Sequence, residues 1–308
     1  MRYGVLFPGQ GSQSVGMAPD LFAVRPDLLG EPADRRLGWG LQALVADGPE
    51  DELTRTDRAQ PALYAIGYAL WCELGERLAP PPVAAAGHSL GEYTALAAAG
   101  ALDFWEGLAL VAARGAAMQR AAQAAPSGMA ALLGADVETA EAVTEARRAE
   151  GGRLWVANVN APGQVVVAGG AADIAWLEDH ARDLGVRRAM PLKVAGAFHS
   201  PFMADAATDL ADALADATFT EGDFPVYGNA SAAPMSDVRA ELAEQLVSPV
   251  RFAESLMRMA ADGVEAFVHV GPGDVTAGLA KRTLPGATVV TVSGLDDIAA
   301  AVTTLSVE

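Results

Sequence analysis

The sequence has 308 residues, 51% hydrophobic and 19% charged, which supports a large core and excludes an intrinsically disordered chain. Lys and Arg number 21 against 39 Asp and Glu, a formal charge of −18 that excludes nucleic acid and anionic membrane as partners, since both need a basic surface. The single cysteine, Cys72, rules out a disulfide framework and a cysteine-rich metal site, and its apolar helical surroundings make it a small buried hydrophobe.

At about 150 residues per unit the length suggests two domain-sized units. The opening MRYGVLFPGQ holds no signal-peptide apolar run, so a cytoplasmic protein is expected. The longest uncharged stretch, Leu154 to Ala172, contains Asn158, Asn160, Pro162 and Gln164 and does not suit a membrane helix. Tyr3–Phe7 reads as a buried strand that breaks at Pro8-Gly9-Gln10-Gly11. Ala59–Leu78 reads as a helix with Asp57 as its cap and Pro61 in the first turn. Val83–Gly87 reads as a short buried strand, followed by helices over Glu92–Ala99 and Phe104–Ala122, the second capped by Asp103.

A regular block follows. Strand Gly128–Gly134, helix Val137–Ala149, strands Leu154–Asn158 and Gln164–Ala168, helix Ile174–Leu184 and strand Val186–Leu192 give the order β-α-β-β-α-β, the pattern of a ferredoxin-like unit. The larger unit then resumes with a helix from Pro201, strand Pro225–Tyr227, helices near 237–247 and 252–262, strand Ala266–Val270, a helix from Val275 and strand Thr288–Val292. Strands alternating with helices imply a mainly parallel sheet covered on both faces. The expected fold is α/β, with residues 1–125 and 193–308 forming a discontinuous large domain and residues 126–192 an inserted ferredoxin-like α+β subdomain. A cleft between two such units is a natural substrate site.

The strongest local signal is Gly87-His88-Ser89-Leu90-Gly91, a G-x-S-x-G turn between an apolar strand and a helix. That context is a nucleophile elbow, with the Ser89 hydroxyl at a helix N-terminus whose free N–H groups favour a developing oxyanion. A serine needs a base. His88 adjoins the nucleophile but points away from it, His180 lies on a solvated helix face, and His269 is inside an apolar strand as a core histidine. His199, in Ala197-Phe198-His199-Ser200-Pro201, follows a strand and is the candidate base, since α/β sheets place reacting groups at the carboxyl ends of strands. No acid between Ser89 and His199 stands out, so an amide or a backbone carbonyl is left to orient His199. Pro8-Gly9-Gln10-Gly11 lacks the later glycine of a dinucleotide fingerprint and the lysine of a P-loop, but it suits a second oxyanion-hole wall. Arg114, on a long apolar helix, either reaches water or clamps a substrate carboxylate.

Taken together, Phe7-Pro8-Gly9-Gln10-Gly11-Ser12-Gln13, Gln60-Pro61-Ala62-Leu63, Gly87 to Tyr93, Arg114-Gly115 with Met118-Gln119, Asn158 to Gln164, Gly196 to Ser200, Ser248 to Phe252 and Val270-Gly271-Pro272-Gly273 resemble the malonyl-CoA:acyl carrier protein transacylase family, nearly end to end. The resemblance implies a hydrolase-like α/β domain with a ferredoxin-like insertion. It implies Ser89 as the acylated nucleophile, His199 as the base, and the backbone N–H groups of Gln10 and Leu90 as the oxyanion hole. Arg114 would bind the malonyl carboxylate, with Gln60, His88, Asn160 and Phe198 supporting the substrate. A backbone carbonyl near Ser248–Arg251 would orient His199.

The implied reaction is ping-pong transfer of malonyl from malonyl-CoA to the phosphopantetheine thiol of an acyl carrier protein, with no metal and no organic cofactor, by a monomer. Because carrier proteins are usually acidic and this chain is too, a local basic patch is expected at the cleft rim, from Arg187, Arg188, Lys193, Lys281 and Arg282. The competing readings are a hydrolase that edits acyl carrier proteins, a transferase for an unusual acyl unit between carriers, and an inactive docking subunit.

Overall fold

The computed structural model describes residues 1–306. The fold is α/β and has two sheets. Strands β1 (Tyr3–Phe7) and β2 (Ala84–Gly87) lie at the centre of the larger one. The smaller sheet holds β3 (Ser127–Leu133), β4 (Leu154–Ala161), β5 (Gln164–Gly170) and β6 (Arg188–Pro191). The chain then returns to the larger sheet for β7 (Val226–Tyr227), β8 (Ala266–Val270) and β9 (Thr288–Val292). The larger sheet has the order β7-β2-β1-β8-β9 with every pair parallel, and its central strands are fully buried. Two helix-covered faces leave no place for polar side chains, which explains the unbroken apolar runs.

The register sets the site. Phe7 pairs with Gly87, so β1 and β2 end level and the turns that follow them lie side by side, joined by the His88 N–H donating to the Phe7 carbonyl at 2.9 Å. The approach is too close for side chains. A Cβ on Gly9 would come within 2.4 Å of the His88 carbonyl oxygen, and one on Gly91 within 2.3 Å of the Phe7 carbonyl oxygen.

The smaller sheet is antiparallel in the order β4-β5-β3-β6, and its two helices, Val137–Ala149 and Ala171–His180, pack on it over a separate core that includes Leu132, Val143, Val167 and Leu177. This is the arrangement that the β-α-β-β-α-β order implies. β4 runs three residues beyond the expected end at Asn158, through a bulge between Val156 and Asn158. The Asn-Val-Asn segment reads as loop because it is polar, but Val159 N–H donates to the Val250 carbonyl and Val250 N–H to the Ala157 carbonyl, both at 2.8 Å. These bonds tie the small sheet to the large unit and carry Asn160 into the space between them.

Other departures are local. The helix expected from Ala59 spans Thr56–Gly75; Asp57 lies inside its first turn, paired with Arg55 at 2.8 Å, and does not cap it. Between β1 and that helix lie five helices of four to seven residues, from Leu21–Val24 to Glu50–Thr54, each too short to show a period. Cys72 is half-buried, and burial pushes its thiol above the ordinary value. No helix among the described residues is long and apolar enough to cross a membrane.

Helix Phe104–Ala124, which carries Arg114, begins as read: the Asp103 carboxylate accepts from the N–H groups of Trp105 and Glu106 at 2.8 and 3.1 Å. Replacing an N-cap aspartate by alanine removes that acceptor. Asp103→Ala is expected to lower stability by about 1 kcal/mol, seen as a lower urea midpoint at an unchanged slope.

Candidate active site

The turn after β2 places Ser89 at the mouth of helix Gly91–Ala98 with φ +52°, and His199 has φ +57°. Only four non-glycine residues among the described ones have positive φ, and two of them face each other here, so backbone strain is concentrated at one place. Asn229, in the turn after β7, closes the strained elbow: its Oδ1 accepts the Ser89 N–H at 2.7 Å and its Nδ2 donates to the Gly87 carbonyl at 2.8 Å.

The Ser89 Oγ lies 2.8 Å from His199 Nε2, and His199 Nδ1 lies 2.9 Å from the Gln245 carbonyl oxygen. A carbonyl only accepts, so Nδ1 carries the proton and Nε2 presents a lone pair to the serine. The orienting carbonyl is therefore that of Gln245, not one within Ser248–Arg251. Gln245 ends helix Val238–Gln245, and the residue four positions on is Pro249, which has no N–H to offer it. His199 fills the vacancy. The Arg251 side chain instead donates to the carbonyls of Ala230 and Ser231 at 3.0 and 3.3 Å. Burial, reinforced by the charge of Arg114, pushes His199 down to about 3, so the imidazole is neutral throughout the physiological range.

Arg114 is 1% exposed. Its Nη1 donates to Gln60 Oε1 at 2.6 Å, and its Nη2 to Gln245 Oε1 at 2.6 Å and Ser89 Oγ at 3.0 Å. Tyr93 lies with its ring centroid 5.7 Å from the guanidinium carbon, and Nε has no partner among the described residues. Of the two readings of Arg114 in the sequence, an arginine reaching water is excluded. Burial pushes its pKa below the ordinary value, yet an arginine stays protonated, and no carboxylate touches it.

Gln10 and Leu90, the two residues expected to supply oxyanion donors, both line the cleft. Their backbone N–H groups find no acceptor among the described residues, while the neighbouring Gly11 N–H is taken by Gln13 Oε1 at 2.7 Å. His88 points away from Ser89 as expected and holds Asn160, with Nε2 2.7 Å from Oδ1. Gln60 is fixed between Arg114 and the Met118 sulfur, 3.3 Å from its Nε2. Phe198 joins Met118, Met129, Val166, Leu192 and Val194 in the apolar lining of a cleft of about 210 Å³ between the two sheets. His269 is a satisfied core histidine, bonded to Thr276 and to the Gly271 carbonyl, and His180 is exposed against Trp176.

Three residues of the site carried no assignment in the sequence: Asn229, Gln245 and Glu92. All three are buried. A signal existed for Gln245, which falls three residues after buried Leu242 and so lies on the inward face of its helix.

Residues 5–297 match the acyl transferase domain family. The chain belongs to that family. A malonyl CoA-acyl carrier protein transacylase of Bacillus subtilis is 41% identical over all of this chain and 98% of its own length, and one of Escherichia coli K12 is 40% identical over 91% of this chain and 92% of its own. Among solved structures, an acyl carrier protein S-malonyltransferase of Vibrio cholerae superposes with a TM-score of 0.92 at 38% identity, over 98% of this chain and 100% of that one. A malonyl-transacylase solved in complex with a type II polyketide synthase acyl-carrier protein superposes with a TM-score of 0.93 at 35% identity, over 99% of this chain and 100% of that one.

In this acyl transferase one of the five basic residues expected at the rim lines the cleft. Lys193 borders the cleft. Arg187, Arg188, Lys281 and Arg282 are exposed but lie outside its lining, and Arg282 donates to Gln164 Oε1 at 3.0 Å at the β4–β5 turn.

The depressed His199 sets a pH dependence. An imidazole held down to about 3 remains a free base far below the ordinary histidine value near 6.5. The rate constant for acylation of Ser89, plotted against pH, is expected to stay flat down to about pH 5, without a fall centred near 6.5.

Proposed function

We propose that the chain transfers a malonyl group from malonyl-CoA to the phosphopantetheine thiol of an acyl carrier protein by a ping-pong mechanism through malonyl-Ser89. The observation that carries this reading is the buried Arg114 guanidinium, 3.0 Å from the nucleophile and bonded only to neutral groups. A carboxylated acyl group completes it; an acetyl group leaves it unpaired.

In the first half-reaction Ser89 Oγ attacks the thioester carbonyl carbon and its proton passes to His199 Nε2. The carbonyl electron pair moves onto oxygen, where the N–H groups of Gln10 and Leu90 stabilise it. Collapse of the tetrahedral species breaks the C–S bond, and the CoA sulfur leaves with the proton from His199. Once Ser89 is acylated, the Nη2–H that it accepted is released to the malonyl carboxylate. That carboxylate also offsets the guanidinium charge, which had been lowering the proton affinity of His199. Carboxylate binding therefore strengthens the base for the second half-reaction, in which the carrier thiol gives up its proton to His199 and attacks malonyl-Ser89. Ser89 leaves and takes the proton back.

Every proton and electron pair is handled by these side chains, so the reaction needs neither a metal nor an organic cofactor. The acidic partner meets Lys193 at the cleft, and a chain with a single cysteine fits the reducing cytoplasm.

Intact-protein mass spectrometry after mixing with malonyl-CoA tests this. The wild type is expected to gain one malonyl group and lose it on addition of a phosphopantetheinylated carrier protein, while Ser89→Ala gains none. Release of free CoA with no adduct on the wild type would instead indicate hydrolysis.

A further inference from the structure

Glu92 lies three residues beyond the nucleophile, in the first turn of helix Gly91–Ala98, 1% exposed and absent from the cleft lining. One of its oxygens accepts the Asn229 backbone N–H and the other accepts Gln245 Nε2. Gln245, also 1% exposed, is the junction of the site. Its side-chain oxygen takes Arg114 Nη2 at 2.6 Å, its Nε2 donates to the Ser89 carbonyl at 2.9 Å as well as to Glu92, and its main-chain carbonyl holds His199.

Donor and acceptor rules leave this network one arrangement. An arginine only donates, so Gln245 must turn its oxygen to Arg114 and its NH₂ to the other side. There it needs an acceptor, and Glu92 supplies one while accepting from Asn229 with its second oxygen. A residue that accepts at two points is required at position 92. A carboxylate in direct contact with Arg114 would fix the guanidinium too, but it would occupy the charge that the acyl carboxylate needs. With the amide of Gln245 in between, the guanidinium is held by a neutral group.

We propose that Glu92 is a positioning residue for acyl selectivity: through Gln245 it holds Arg114 aimed at the acyl site while leaving the guanidinium free of any carboxylate of the protein. Burial pushes the Glu92 carboxyl up, and the bonds from Asn229 and Gln245 pull it back toward the two-oxygen acceptor that the network requires. The inference rests on the reading of Arg114 as the clamp for the acyl carboxylate.

The test measures kcat and KM separately for acylation of Ser89 by malonyl-CoA and by acetyl-CoA, in the wild type, Glu92→Gln and Gln245→Glu. The ratio of the two kcat/KM values does not depend on the folded fraction of a preparation, so a merely structural role would not move it. A Gln at position 92 offers NH₂ where one of two N–H donors points, and either Gln245 turns over or a donor is left facing a donor. The malonyl-over-acetyl ratio is expected to fall by at least about tenfold in Glu92→Gln, through the malonyl rate. In Gln245→Glu a carboxylate lies on Arg114 itself, and the ratio is expected to fall by a similar factor or more. A Glu92→Gln ratio within about twofold of the wild type overturns the proposal, as does a Gln245→Glu protein that keeps malonyl selectivity. If both variants fail to fold, Glu92 and Gln245 are elements of stability and the proposal is equally overturned. A wild type with no malonyl preference would refute the clamp itself, which distinguishes that failure from this one.

Discussion

Arg114 carries a positive charge into a part of the protein closed to water, and its hydrogen-bond partners are two amide oxygens and a hydroxyl. Burying a cation in this way is unfavourable unless something compensates it. The rest of the site is the compensation and its supports. Gln60 comes from helix Thr56–Gly75, Gln245 from the end of helix Val238–Gln245, and Tyr93 from the helix that starts at the nucleophile. The same charge lowers His199, which keeps the base neutral, and it lies within hydrogen-bond distance of the group to be acylated. In the proposed reaction, one interaction thus couples recognition of an acyl carboxylate to the state of the Ser89–His199 pair.

The larger sheet makes this geometry possible because β1 and β2 end level. Two turns can then present free N–H groups to one point, but only if their backbones come closer than side chains allow, which is why glycines at 9 and 91 flank the approach. The left-handed conformations at Ser89 and His199 are local strain held in place by distant partners. Asn229, 140 residues from Ser89 in sequence, ties down the elbow; Gln245, 46 residues from His199, ties down the imidazole. The fold spends long-range contacts on making the site rigid before substrate arrives.

The sequence made the strands of both sheets, the elbow serine and the histidine legible, because each depends on local pattern: apolar runs ended by glycine, a G-x-S-x-G turn, a histidine just past a strand. Segments without a local period were not legible. The five short helices between Leu21 and Thr54 never complete enough turns to show one, and β4 was cut short because polar Asn158 and Asn160 hide a strand that pairs with Val250 across the two units. Glu92, Asn229 and Gln245 share a different obscurity. Each acts on a group brought to it by the fold, so nothing adjacent in the chain announces its role. The carbonyl that orients His199 lies three residues before Ser248 because Pro249 leaves the Gln245 carbonyl without a helical partner.

The most direct test of this account replaces Arg114 by a residue of similar volume and no charge. Arg114→Leu is to be acylated by malonyl-CoA and acetyl-CoA in competition, with adducts resolved by mass. If the buried guanidinium is what selects the acyl group, the preference reverses: the malonyl adduct falls by about a hundredfold, the cost of about 3 kcal/mol for a carboxylate left without its partner, and the acetyl adduct rises relative to it. A variant that still forms the malonyl adduct in preference to the acetyl one would contradict the account, since selectivity would then reside elsewhere in the cleft.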